Sequence, residues 1–373
     1  MATVRQTGGD YSSLNAALAA AESTITIDQA WTARDDTAAT VTADCTITVS
    51  GGALHSGYFL ESDDHYRLSV TAAHCLTING AYTVTITGMA IHNRGVGSSE
   101  ECIRCVPGTS DTVTLNQCIL VCDGIIEQQD CIYAGFNTSI GTITLNNCTL
   151  QGAARFGIHS QNNYSTSSQS GTINVNHCTI MDNGRDTGPI SVFEVGGGIG
   201  FTKNTSGAAT SFAINVFGCV VVENDAGSPY SSAAPQDFYD NNQSGNASFT
   251  AWNVSYSIDS DGSISTDTDG GTGNGASYTA TESTTPGAGN WVIIEDLTSS
   301  IWDCRLVDDT DNDAQGFHST SSAHGLSVPS TDIVGTTRSS PYDAGSFRAS
   351  PAGGAAVDLL TRRRRIHQRN LST

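Results

Sequence analysis

The side chains able to do chemistry in this chain are few, and their spacing limits what that chemistry could be. Hydrolysis of a glycosidic bond needs two carboxyl groups at a fixed separation, and calcium-assisted cleavage needs clustered Asp ligands beside a base. The carboxylates Asp123, Asp130, Asp182, Glu194, Glu223 and Asp225 are scattered over different positions and read as solvated turn residues. Asp182, Glu223 and Asp225 follow comparable short apolar stretches and are the first choices for an acid–base role. Asp309-x-Asp311-x-Asp313 imitates the start of an EF-hand loop, but Ala314 replaces its Gly and Thr320 stands where the bidentate Glu belongs. Cys102-x-x-Cys105 and Cys118-x3-Cys122 are zinc half-sites with no second pair at ligand spacing. No metal or cofactor is expected. The Gly196–Gly200 run reads as a turn, because no strand-to-helix unit follows it as a phosphate loop would require. The last chemical candidate is a cation cluster, Arg362, Arg363, Arg364, Arg365 and Arg369, interleaved with Leu and Ile and suited to anchoring in an acidic groove of another protein.

A repeat has to position these residues. Thr142 to Leu150, Thr-Ile-Thr-Leu-Asn-Asn-Cys-Thr-Leu, recurs at Thr112–Leu120 and Thr172–Ile180, and more loosely at Thr83–Ile91 and Ala213–Val221. Aligning Cys148 with Met89, Cys118, Cys178 and Cys219 gives steps of 29, 30, 30 and 41 residues. Apolar residues alternate with Thr and Asn, the period of a strand with one buried face, but the parity shifts between Leu145 and Cys148. Both can point inward only if the chain turns a corner at Asn146-Asn147. Coils of about 30 residues accommodate three short strands and stack at about 4.8 Å, which makes the chain a solenoid. Asn116, Asn146 and Asn176 then lie one above another and can bond along the stack, while Cys118, Cys148 and Cys178 stack inward as reduced thiols. Ile103, Ile132, Ile158 and Ile199, in the contexts ECIRC, DCIYA, FGIHS and GGIGF, form another wall.

Residues 11–22 are the one convincing helix, with Leu14, Ala17, Leu18 and Ala21 at helical spacing and Asp10, Ser12 or Ser13 as its cap. Its place is across the open N-terminal end of the stack, and Cys45 and Cys75, again 30 residues apart, mark the first coils. The 41-residue step holds an insertion, at Arg185–Val195 or Lys203–Ser211, where a recognition loop would sit. Ser228–Asn246 reads as a second polar loop with Tyr230, Phe238 and Tyr239 as contact residues.

These units resemble the right-handed parallel β-helix of the pectate-lyase-like superfamily over roughly residues 38–260. Gly8 to Leu18 is similar to the segment with which such proteins begin, and Asn253–Ser257 to their closing coil. Asp332-Ile333-Val334-Gly335-Thr336-Thr337-Arg338 followed by Asp343-Ala344-Gly345-Ser346-Phe347 is similar to a terminal motif of bacterial and phage β-helix proteins. The resemblance implies an all-β fold in four parts. Residues 1–37 carry the capping helix, 38–260 form the β-helix, 261–350 form a Ser/Thr/Gly/Asp-rich excursion and an irregular C-terminal cap, and 351–373 are the basic tail. It fixes activity poorly, since the scaffold carries lyases, hydrolases, adhesins and viral appendages alike. The paired-Asp, His-Gly and Arg-x-Lys constellations of the pectin hydrolases have no counterpart here.

Composition narrows the function classes. The 373 residues carry a formal charge of −21, which becomes −26 without the five Arg of the tail, so the β-helix body is not expected to bind nucleic acid. No window approaches a membrane span, and the N-terminus lacks the basic and apolar regions of a signal peptide, so the chain is expected to fold in the cytoplasm. Eleven Cys, an odd number, fit free buried thiols. Together these point to a non-enzymatic virion structural protein, a phage decoration or tail-surface β-helix attached through its C-terminal region. Its partners would be capsid or tail proteins, with a second copy of the chain or a host-surface glycan as further candidates. The competing readings are a polysaccharide-binding or polysaccharide-degrading enzyme (a depolymerase) and a bacterial adhesin.

Overall fold

The computed structural model describes residues 1–57, 64–95, 100–107, 111–123, 129–136, 141–162, 170–184, 197–203, 211–222, 224, 236–242, 249–259, 277–281, 293–298, 301–306 and 318–347. Those up to residue 281 form a parallel β-helix with three sheets, while Ile293–Thr298 and Ile301–Leu306 pair antiparallel in a sheet of their own. The long sheet has ten strands in stacking order, among them Thr83–Thr87, Thr112–Asn116, Thr142–Asn146, Ser170–Asn176 and Ser211–Phe217. A short sheet of seven follows its corner, through Ala90–Asn93, Ile119–Cys122, Thr149–Gln151 and Thr179–Met181. A lateral sheet of seven completes each coil, through Leu76–Gly80, Ile103–Pro107, Ile132–Phe136, Phe156–Asn162, Gly197–Lys203 and Gln236–Asn242.

The register is the one the repeat dictates. Val113, Ile143 and Ile173 are aligned in the long sheet, and Ile103, Ile132, Ile158 and Ile199 in the lateral one. The alternate positions of the long sheet point outward, where Thr46, Thr85, Thr114 and Thr144 form one file of β-branched side chains suited to a half-exposed pleat. The corner comes where the parity shift places it. Gln117, Asn147, His177 and Tyr256 adopt left-handed backbone, and Gly88 and Gly218 take the equivalent position in neighbouring coils. From Gly88 to Gly218 each of these corner residues still donates its N–H to the next coil, Asn147 to Asn176 O at 3.0 Å and His177 to Phe217 O at 2.8 Å, so the ladder passes through these bends unbroken. The Asn stack forms: Asn146 donates to Asn116 Oδ1 at 2.9 Å and Asn176 to Asn146 Oδ1 at 3.0 Å.

Cys118, Cys148, Cys178 and Cys219 stack inward beyond the corner, with Cys148 N on Cys178 Sγ and Cys178 N on Cys219 Sγ, each at 3.4 Å. A second thiol group joins Cys102, Cys122 and Cys131, with Sγ separations of 3.4 and 3.9 Å. All ten cysteines whose side chains are described are buried and free. Cys45 and Cys75 are not equivalent despite their 30-residue spacing. Cys45 pairs with Val84 in the long sheet, whereas Cys75 precedes the lateral strand, in line with Cys102 and Cys131.

The helix is shorter than its periodicity predicts, Leu14–Ala19, capped by Ser13, whose Oγ accepts from Ala16 N. Leu14, Ala17 and Leu18 are buried, but Ala21 turns left-handed and exposed, ending the helix there. Two further expectations are corrected. Gly197–Lys203 is a strand, not a turn, and its glycines make room for neighbours: a Cβ on Gly200 would lie 2.3 Å from the Phe156 ring. Phe238 and Tyr239 belong to the strand Gln236–Asn242 and are buried, so they are not loop contacts.

Residues 318–347 do not close the far end of the stack, as a cap would. They lie as a strap along the corner, because the corner residues direct their side chains outward and offer unused donors. Ser255 Oγ meets His324 Nε2 at 2.6 Å, Asn176 donates to Ser327 O at 2.8 Å, Asn147 to Thr331 O at 2.6 Å and Gln117 to Asp332 O at 2.7 Å. The strap therefore descends the stack against coil order, then turns back. Arg338 returns to Asn147 Oδ1, Ser346 to Thr179 Oγ1 and Gly345 N to Gly218 O at 2.7 Å. Gly345 is left-handed and a Cβ there would fall 2.8 Å from Thr179 Oγ1, so only glycine seats this turn.

Candidate functional site

The structure does not gather the residues that the sequence put first. Asp182 lies just past Thr179–Met181 in left-handed backbone, partly exposed, with its carbonyl accepting from Gly152 N. Its neighbour Asn183 turns inward and donates to Asn224 Oδ1 at 2.8 Å, and Asn224 donates to Asp237 Oδ1 at 2.9 Å. Glu223, Asp225 and Glu194 lie outside the described residues, as do Asp309, Asp311 and Asp313, the 185–195 loop, and Arg362, Arg363, Arg364, Arg365 and Arg369. Asp123 pairs with His92 at 2.9 Å on the outside of the short sheet's end. Among the described residues no group of three or more His, Cys, Asp or Glu is arranged to hold a metal ion.

Charges converge somewhere else, at the entry to the lateral sheet. The register that aligns Leu76, Ile103, Ile132 and Ile158 also aligns the residues two positions earlier, His74, Glu101, Asp130 and Phe156. Asp130 is therefore no solvated turn residue: it is completely buried. Its Oδ1 accepts from Arg155 Nε and from Phe156 N, both at 3.0 Å. Its Oδ2 accepts from the other arm of Arg155 at 2.6 Å and meets His159 Nδ1 at 3.1 Å. Burial opposes ionisation of Asp130, but Arg155 and His159 reverse this and hold the carboxyl below its usual range. Glu101, next in the stack, lies with its carboxyl against His74 Nδ1. Burial pushes its carboxyl up, with the Asp130 charge adding to the shift.

His159 links this ladder to the next coil, its Nε2 lying 2.9 Å from Thr202 Oγ1. Burial first, then the Arg155 charge, depresses the imidazole to about 4, so at neutral pH it is uncharged. The neutral tautomer that fits carries the proton on Nδ1, donated to Asp130, and accepts from the Thr202 hydroxyl at Nε2. Asp130, His159 and Thr202 thus have the connectivity of a nucleophile relay. The surroundings disable it. Arg155 neutralises the carboxylate that should polarise the imidazole, an imidazole at about 4 is a weak base at neutral pH, and Phe156 stacks on its ring at 4.8 Å. Thr202 is itself only 5% exposed.

Outside this buried core the lateral sheet presents a short aromatic and basic strip. Tyr133 lies edge-on to His159 and hydrogen-bonds Gln161 Oε1 at 2.7 Å, and the Arg104 guanidinium sits 5.5 Å from the Tyr133 ring centre while meeting His74 Nε2 at 3.1 Å. No family model, curated protein or solved structure matches this chain. The ladder is visible in the sequence as acid-Cys-Ile, in Glu101-Cys102-Ile103 and Asp130-Cys131-Ile132, but the repeat alone assigns a direction only to the Ile. Arg155 and His159 carried no such signal, because their partner stands one full coil away.

Proposed function

We propose that this chain is a non-enzymatic structural protein of a virion surface, a right-handed β-helix of the pectate-lyase-like kind attached through its C-terminal region. The observation that carries the non-enzymatic part is the state of the Asp130 cluster. Where Asp130, His159 and Thr202 converge, both oxygens of Asp130 are taken up by chain donors and the hydroxyl is covered. Such a cluster fixes adjacent coils to one another and has no face left for a substrate. The virion assignment rests on the similarity of the terminal Asp332–Phe347 motif to that of phage β-helix proteins, and on the basic tail. The purified chain, incubated with a panel of capsular and plant polysaccharides, should release neither reducing ends nor unsaturated sugars. Release of either would overturn the non-enzymatic reading.

One observation favours a second reading, glycan binding. Tyr133 and Arg104 offer a partly exposed ring and guanidinium on the outer wall of the lateral sheet, a stacking surface for a sugar ring. On an array of bacterial surface glycans, that reading requires retention of at least one glycan and its loss in Tyr133→Ala.

A further inference from the structure

The seam between the strap and the corner brings together histidines from two distant parts of the chain. His177 occupies a left-handed corner position, and His318 and His324 belong to the strap. The ring centres of His177 and His318 are 5.4 Å apart, and both rings pack on Phe217. His318 also stacks on Tyr256 at 5.0 Å and faces Tyr342 at 5.6 Å, while its Nδ1 bonds the Thr320 carbonyl at 3.0 Å. His324 is tied to Ser255.

The fixed charge facing this group is Arg338, buried in the strap, with Asp332 and Asp343 as its counter-charges. From the other side His55 bonds the Gln117 carbonyl at 2.7 Å, with His65 and Arg67 behind it, and Gly57 lies against Val334 and Phe347. A proton on His177 would place a second cation beside Arg338 in a site closed to water. Burial, reinforced by Arg338, accordingly holds His177 far below its usual range, and burial lowers His318 and His324 as well.

We propose that the strap is an acid-released clasp, seated on the corner at neutral pH and driven off by protonation of His177, His318 and His324 while the coils stay folded. A histidine depressed in the closed state binds its proton more readily in the open one, so closure is fully favoured above the ordinary histidine value of about 6.5 and is lost as pH falls below it. Opening that takes up two or three protons grows by about 10²- to 10³-fold per pH unit in that range. The coils outlast it because the corner N–H groups bond the next coil without the strap's help. Release would bare the outward side chains of Gln117, Asn147 and Asn176, a row of amide groups open to a new partner.

Hydrogen exchange of the full chain between about pH 7.5 and about pH 5, corrected for intrinsic rates, tests the clasp across the usual histidine value. Residues 318–347 should lose protection by more than tenfold at the acid end, while the Thr142–Leu150 segment keeps its own. The His177→Gln/His318→Gln variant should hold the strap to lower pH. Gln is tolerated at the first site because Gln117 already occupies the same left-handed corner position two coils below. If that variant fails to fold, His324→Gln alone should still move the midpoint down. Equal strap protection at both pH values, simultaneous loss in strap and coils, or an unmoved midpoint in the folded variants would each overturn the proposal.

Discussion

Asp130 shows how little a residue's type says about its role once its neighbours are fixed. A carboxylate with a bidentate Arg, a backbone N–H and an imidazole on it is costly to disturb, because removing its charge leaves Arg155 buried and unpaired. Asp130→Asn should therefore destabilise the chain by about 3–5 kcal/mol in urea unfolding. A cost near zero would mean that the cluster does not brace the coils. At this scale the sequence was only half legible. Cys118, Cys148 and Cys178 were placed correctly because their direction follows from the repeat alone, whereas Asp130, Arg155 and His159 become a unit only through contacts 25 to 29 residues apart. Cys148→Asp puts an unpaired carboxyl into the same apolar stack and should cost several kcal/mol, read as a lower urea midpoint.

Among the elements, the corner has the clearest sequence logic. The parity shift between Leu145 and Cys148 demanded a bend, and the bend appears with Asn147 left-handed. The second task of Asn147 was not legible, since its side chain serves a strap 184 residues away. The two tasks separate by substitution. Asn147→Gly relieves the left-handed backbone and loses only the strap bonds, while Asn147→Ala loses both. The Ala variant should be less stable than the Gly variant by about 1 kcal/mol, the usual cost of left-handed backbone in a residue with a Cβ. Equal stabilities would show that the corner is not strained. The helix ends earlier than its periodicity predicts for a similar reason. Ala21 fits the apolar periodicity, but the chain must leave the helix at that point to enter the strand Thr24–Ile27.

At the scale of the molecule, coils that share one core and one strap should unfold together. The β-helix is expected to give one calorimetric transition, and two well-separated transitions would contradict a continuous core. The solenoid was readable because its repeat is local and periodic. The course of residues 318–347 was not, because a strap is specified by the outward side chains of many coils and not by any period of its own. On the virion proposal, deleting residues 361–373 should leave the circular dichroism unchanged and abolish incorporation into a particle; normal assembly of the truncated chain would move the attachment surface to the coils or the strap. The most direct test of the virion assignment is immunogold electron microscopy, with an antibody against the folded chain, of the particles released by cells that make it. Gold on the particle surface is the expected result, and unlabelled particles beside labelled cell envelopes would contradict it.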